Sequence, residues 1–587
     1  MGVHFILPVQ NNPDTRLQDP VFFGIMCINT EAEMPTMEKG KREMKMMDHK
    51  KRRILGLALS VALTAGCAAP RSEPTTLPAT TQPTTSATAP APAPTEPTVI
   101  LDFTVDKDKV PTGDVTSGAS VHDPSVLRVG DTYYIYGSHM TAAKSTDLKS
   151  WQQIADGYGR DNPVYGVVYD VYEEAFAWAG APTSLTPTDD AATGGEHVWA
   201  ADVIYNHQMG KYVMYYCTTS TYYVSNICYA ISDSPEGPFQ WQGPIIYSGF
   251  ALSNMDQTDV LDVVSREYAE QTYLRGPIYH QKKWPNAIDP AVFYDQQGRM
   301  WMVYGSWSGG IFILELDPYT GKVIHPEADG ENRVDPYFGK WLCGGNHKSI
   351  EAPYILYAEG YYYLFVSYGS LVRNGGYQIR VFRSEYPDGP YADMNGAVPD
   401  GGIHADFGLK LSGNYDLPSL PVAYMATGHN SALADTDGKY YVVYHTRFDS
   451  GTEYHSPRAH QFLINEEGWP CLLPYQTQGE TVSETGYEMN EIVGRYYLVL
   501  QNTTVNGKIP PITIAYLMED GTVCMENGEG SWSTRAGTYY MSVTVDGKVF
   551  HGVFCRMPDE AGNECMVFSA VGGNESLWGV RDMTWMS

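Results

Sequence analysis

Short apolar strands alternate with polar turns along most of this chain, and one unit of that pattern recurs five times. Each copy has a polar lead-in, a brief apolar run, a turn and a strongly aromatic run. The five are "HDPSVLRVGDTYYIYGS", "WAADVIYNHQMGKYVMYY", "IDPAVFYDQQGRMWMVYGS", "IEAPYILYAEGYYYLFVSYGS" and "GHNSALADTDGKYYVVYHT". The joints "VGD", "QMGK", "QQGR", "AEG" and "TDGK" carry hairpin-turn chemistry. Further strands follow each pair, as in "QIRVFRSEYPDGPY", and helical periodicity is missing throughout. Repeated all-β units predict a five-bladed β-propeller over residues 99–478. The segment Leu252–Pro277 interrupts the repeat and is expected to form a rim loop or short helix. Residues 479–587 change rhythm to longer alternating strands joined by "EDG", "VDG" and "GGN", which predict a small C-terminal β-barrel or sandwich.

The N-terminal part follows other rules. Lys50–Arg53 is basic, Ile54–Gly66 is mostly apolar, and Cys67 follows. That order is signal-peptide anatomy, with an apolar run too short for a stable span. The ending "LTAGC" resembles a lipobox, in which Cys67 would become a lipid anchor. Thr64 departs from the usual leucine, which sits one place upstream as Leu63. Residues 1–46 are expected to have no fold, with Met46 or Met47 a more natural start. Residues 1–67 thus read as leader plus signal. The Pro/Thr/Ala tract over 68–98 reads as an extended tether. The expected location is a bacterial cell surface.

Formal charge is −29, which argues against nucleic acid and is indifferent to a neutral polysaccharide. Aromatic residues make up 13% of the chain, enough to supply stacking surfaces as well as strands. The nine cysteines contain no CxxC pair, so neither a disulfide framework nor a structural zinc site is expected.

Aligning the repeats places Asp123, Ala200, Asp289, Glu351 and His429 at the mouth of successive inner strands, about 60 to 90 residues apart. A single Asp-Pro before a strand needs no more than turn capping to explain it. Three carboxylates converging on one axis repel each other, and that points to chemistry. Inverting glycoside hydrolysis needs one carboxylic acid to protonate the leaving oxygen and one carboxylate to activate water, about 6.5–9.5 Å apart. Asp289 and Glu351 fall on adjacent blades, so Asp289 is placed to raise the pKa of Glu351 as general acid, and Asp123 is left as general base. Asn286, Ser306 and Ser308 offer hydrogen bonds to sugar hydroxyls. Trp307 offers a stacking face, and Trp199 and Ala201 mark the mouth of blade two.

The stretches "HDPS", "NAIDPAVFYD", "MVYGSWSGGIFILEL", "SIEAPY", "YYYLFVSYGS" and "GHNSA" resemble glycoside hydrolase family 43, and most of all its bacterial extracellular arabinan-cleaving members. The resemblance spans all five blades. It implies a five-bladed propeller holding one axial calcium ion, inversion of configuration, and the same roles for Asp123, Asp289 and Glu351. It adds Ala287 and Ile288 to the substrate contacts. It also favours His429 as metal ligand over a merely hydrogen-bonded histidine, although calcium ordinarily prefers oxygen. One departure is visible: Ala352 stands where the family pattern has glycine, and it is expected only to narrow the backbone locally. The implied activity is endo-hydrolysis of α-1,5-L-arabinan by a monomer. The rivals are exo-arabinofuranosidase, β-xylosidase or galactanase action on the same fold, and a non-catalytic glycan-binding propeller.

Overall fold

In the computed structural model the described residues are 101–180, 198–219, 223–330, 333–399 and 405–584. The leader, Cys67 and the tether lie outside them. Blade 1 runs from Ser125 to Ala155, blade 2 from Val198 to Ser248 and blade 3 from Ala291 to Cys343. Blade 4 runs from Ile350 to Ser412 and blade 5 from Tyr424 to Leu472. Every blade is an antiparallel sheet of consecutive strands, with two short extra strands in blade 3. The Glu359-Gly360 turn of blade 4 has φ of +47° and +88°, the backbone of a type I′ hairpin. The predicted rim segment contains short helices at Met255–Gln257, Val260–Val263 and Arg266–Tyr273, the last capped by Ser265 Oγ.

Among the described residues no blade borrows a strand from another, and side chains join blades 1 and 5. Ser431 Oγ donates to Pro124 O (2.8 Å) and accepts from Val126 N (3.0 Å). Tyr133 OH donates to Asp435 Oδ2 at 2.6 Å. Aromatic and methionine side chains pack between neighbouring blades, as with Tyr215, Tyr229, Met300 and Met302 between blades 2 and 3.

The C-terminal strands, Gly494–Gln501 to Glu575–Arg581, form a closed eight-stranded barrel, which decides between barrel and sandwich. Its interior is packed with side chains that include Tyr496, Leu498, Phe554 and Phe568. Residues 101–104, grouped by sequence with the propeller, instead lie on the barrel wall. Leu101 and Phe103 pack against Tyr497, Ile514 and Tyr516, and Tyr516 OH donates to Asp102 O at 2.7 Å.

Candidate active site

Each inner strand is broken at one residue by a left-handed backbone: Asp123 (φ 57°), Ala200 (48°), Asp289 (54°), Ala352 (55°) and His429 (48°). Strand pairing slips at this point in blades 2, 4 and 5, and in blades 1 and 3 it begins just after it. Such interruptions re-aim a side chain, here toward the axis. Proline follows in three blades (Pro124, Pro290, Pro353); it lacks the N–H an inner neighbour would need, and the axis offers no such neighbour. In blade 4 the axial position is therefore Ala352, and Glu351 stands one residue earlier. This corrects the sequence alignment. A one-residue offset on a strand sends the side chain to the other face, so Glu351 points to the loop of blade 3 while Ala352 lines the axis.

Glu351 Oε2 accepts hydrogen bonds from Trp307 Nε1 (2.7 Å) and Ser306 Oγ (3.1 Å). Asp289 Oδ2 accepts from the Ala352 N–H at 3.2 Å, which couples the two carboxylates through one peptide unit. Asp123 is held from several sides. His122 Nδ1 lies 2.8 Å from its Oδ2, and His429 Nδ1 lies 3.0 Å from its Oδ1. Ser138 Oγ donates to Oδ2 and itself accepts from Ala200 N at 3.0 Å. The Asp123 backbone N–H donates to His445 Nδ1 at 3.3 Å.

These surroundings separate the carboxylates electrostatically. Burial works against the charge on Asp123, but His122 and His429 outweigh it and hold the carboxyl well below the usual range. Burial raises both Asp289 and Glu351. For Asp289 the neighbouring Glu351 and Asp123 charges add to the rise, and the Asp123 charge does so for Glu351. Protonation is thus favoured at Asp289 and Glu351 and disfavoured at Asp123. Burial opposes charge on His429 too, yet the Asp123, Asp289 and Glu351 carboxylates raise it to about 9. His122 and His445 are lowered, chiefly by burial. Asp123 and Asp289 are 5% and 7% exposed, whereas Glu351 keeps more solvent access, as a group that must meet a leaving oxygen should.

Below the carboxylates three consecutive residues of each inner strand enclose an axial cavity of about 20 Å³, room for about one water or small ion. Asp289, His429 and Asn430 line it, and Asn430 Oδ1 is a buried acceptor with no hydrogen-bond partner. Asp202, also in the wall, is raised to about 6 by burial.

The expected sugar contacts divide differently from the sequence reading. Ser306 and Trp307 are committed to Glu351. Asn286, Ala287 and Ser308 are buried, Ala287 within the core between blades 2 and 3, and Ala201 lines the axial cavity. Trp199, Ile288 and Trp307 retain partial exposure. The sequence reading missed His122, Ser138 and His445. His122 stands beside Asp123 and was readable; Ser138 and His445 come from second strands and meet Asp123 only in three dimensions.

A model of glycosyl hydrolases family 43 matches residues 275–470, and a C-terminal lipocalin-like domain matches 474–579. Extracellular endo-alpha-(1->5)-L-arabinanase 2 of Bacillus subtilis is 36% identical, over 82% of this chain and 97% of its own. The extracellular endo-alpha-(1->5)-L-arabinanase of Thermotoga petrophila is 37% identical over 79% and 94%. Among solved structures, a family 43 glycoside hydrolase of Bacillus licheniformis superposes with a TM-score of 0.68 at 36% identity, covering 80% of this chain and 99% of that one. The endo-1,5-alpha-L-arabinanase of Thermotoga petrophila gives 0.68 at 35%, covering 80% and 100%. Since the likeness to these relatives runs through propeller and barrel alike, the chain belongs to glycoside hydrolase family 43.

Proposed function

We propose that this enzyme is an extracellular endo-hydrolase of α-1,5-L-arabinan that inverts configuration. One observation carries the reading: Asp123 and Asp289 meet at one end of the axis, Glu351 stands beside them on the strand whose Ala352 amide Asp289 binds, and their surroundings favour charge on Asp123 and protonation of Asp289 and Glu351. Glu351 delivers its proton to the leaving glycosidic oxygen as the C–O bond breaks. Asp123 takes a proton from the water that attacks the opposite face of the sugar. Asp289, hydrogen-bonded to the Ala352 amide, keeps Glu351 protonated and oriented. Trp199, Ile288 and Trp307 are the predicted sugar contacts that keep surface to offer.

Calcium is the proposed axial ion. The unpartnered Asn430 Oδ1 fits it; His429, whose Nδ1 is spent on Asp123, could serve it only through Nε2 and only by giving up the proton that the carboxylates favour. When bound it supplies a fixed positive charge against the three carboxylates. Export rests on the Lys50–Cys67 order and on the extracellular names of the two relatives, and the surface tether through Cys67 on the sequence alone.

Glu351→Gln keeps shape and removes the transferable proton. We expect turnover of linear arabinan to fall by about 10²-fold or more with binding retained. Unchanged turnover refutes the acid assignment. Mixed oligosaccharides early in the reaction mark endo action, and monosaccharide alone from the outset marks the exo rival.

A further inference from the structure

Tyr377 follows a tight turn at the rim of blade 4 and is 1% exposed. Its ring fills the place a side chain at Gly428 would take: a Cβ there would meet it at 2.2 Å. It lies 6.0 Å from the His445 ring, nearly parallel. Its hydroxyl is buried without a closed hydrogen bond. The carboxylate whose charge weighs most on that phenol is Glu351.

The turn that sets Tyr377 is held by the barrel. Ser370 pairs with Gly375–Gly376, closing residues 370–376 on themselves. The barrel loop 502–511 presses against this turn from outside. A Cβ at Gly507 would meet Asn374 O at 2.2 Å, and one at Gly376 would meet the Asn506 backbone at 2.6 Å. Only glycines allow that approach. Gln378 Nε2, next in sequence to Tyr377, donates to Thr504 O of the loop at 3.2 Å. Arg380, fully buried, donates to Thr503 O, to Gly408 O (3.0 Å) and to Gln378 Oε1 (3.0 Å). A buried guanidinium with carbonyl and amide partners fixes geometry more than it adds stability.

From these contacts we infer that Tyr377 is a positioning residue for the general acid, and that the barrel loop 502–508 sets it. Its O–H is aimed to donate to the Glu351 carboxylate that forms as the proton leaves for the glycosidic oxygen. Trp307 and Ser306 already serve one oxygen of that carboxylate. A third donor matters most in the transition state, where the charge develops. The proton on the tyrosine stays with the tyrosine; only the Glu351 O–H bond breaks.

This inference rests on the functional reading above and extends it. The test compares wild type, Tyr377→Phe, Gly507→Ala and the double variant. The substrates are linear arabinan and a dinitrophenyl α-L-arabinobioside, whose leaving group needs no protonation. Tyr377→Phe should lower kcat on arabinan about 10- to 100-fold, the worth of one hydrogen bond to a charged group, with little loss on the activated substrate. Around Glu351 stand Asp289, Asp123 and His429. Removing the phenol donor that lowers Glu351 should move the alkaline limb of the kcat/KM profile to higher pH. Gly507→Ala should show the same leaving-group dependence, and the double variant should be little worse than Tyr377→Phe. Equal losses on both substrates, or additive losses in the double variant, overturn the inference alone. A wild type that cleaves neither substrate overturns it together with the functional reading.

Discussion

At the level of single residues, Ala352 shows how closely this site is tied to its backbone. A left-handed non-glycine residue costs about 1–2 kcal/mol. Changing it to glycine would recover that, but would lose about 0.8 kcal/mol of buried methyl and add about 0.5–1 kcal/mol of chain entropy. Ala352→Gly should therefore stay within about 1 kcal/mol of the parent in urea unfolding. Ala352→Val puts a β-branched side chain into the same φ of +55° beside a cavity of about 20 Å³. It should lose about 2–4 kcal/mol, the range of overpacking combined with backbone strain. A valine variant as stable as wild type would show that the axis is softer than the geometry implies. The prolines carry the register that matching acid to acid obscured: 123, 289 and 352 each precede one. The register at Glu351 was therefore legible. Tyr377 and His445 were not, because they reach the acid and the base across strands, with no spacing in the chain to mark them.

The inner strands act as an element-level device. Five of them bend at one level, so residues far apart in sequence meet around one axis. The repeat itself made this readable, since turns and aromatic strands recur with every blade. What the repeat hides is that the five positions differ in chemistry: two carboxylates, two alanines and a histidine. His429 is the cation among them, with Asp123 3.0 Å away and Asn430 Oδ1 unpartnered next in sequence. If calcium completes this ring, a chelator should lower both activity and the thermal midpoint of the purified enzyme, and added calcium should restore both. His429→Ala should lower the midpoint as well and abolish the calcium response. A midpoint indifferent to chelator and calcium alike would leave His429 as the only cation of the ring.

On the scale of the whole molecule, the question is whether propeller and barrel are two bodies or one. Composition and turn rhythm located the change near residue 479, but rhythm says nothing about what lies between the parts. The structure answers with one core. Leu409, Leu411, Tyr415, Trp469 and Leu472 of the propeller pack with Val553, Val567, Trp578 and Val580 of the barrel. Trp578 is fully buried and meets Tyr415 edge to face at 5.0 Å. The N-terminal strap joins them a second time: it lies on the barrel at Leu101–Phe103, and at Gly113 it donates to Ser419 O of the propeller at 3.0 Å. At that point it passes so close to Glu560 that a Cβ would sit 1.9 Å from its carbonyl oxygen. Separating the parts would expose these apolar faces to water, so neither should be stable at a temperature that melts the other. Calorimetry should therefore record one transition for residues 97–587. Trp578→Ala should cost about 3–5 kcal/mol and move that transition as a whole, with loss of arabinan turnover following the same curve as loss of near-ultraviolet circular dichroism. Two resolved transitions, with turnover tracking only one, would mean that the barrel is an appendage and that its grip on the catalytic rim is dispensable.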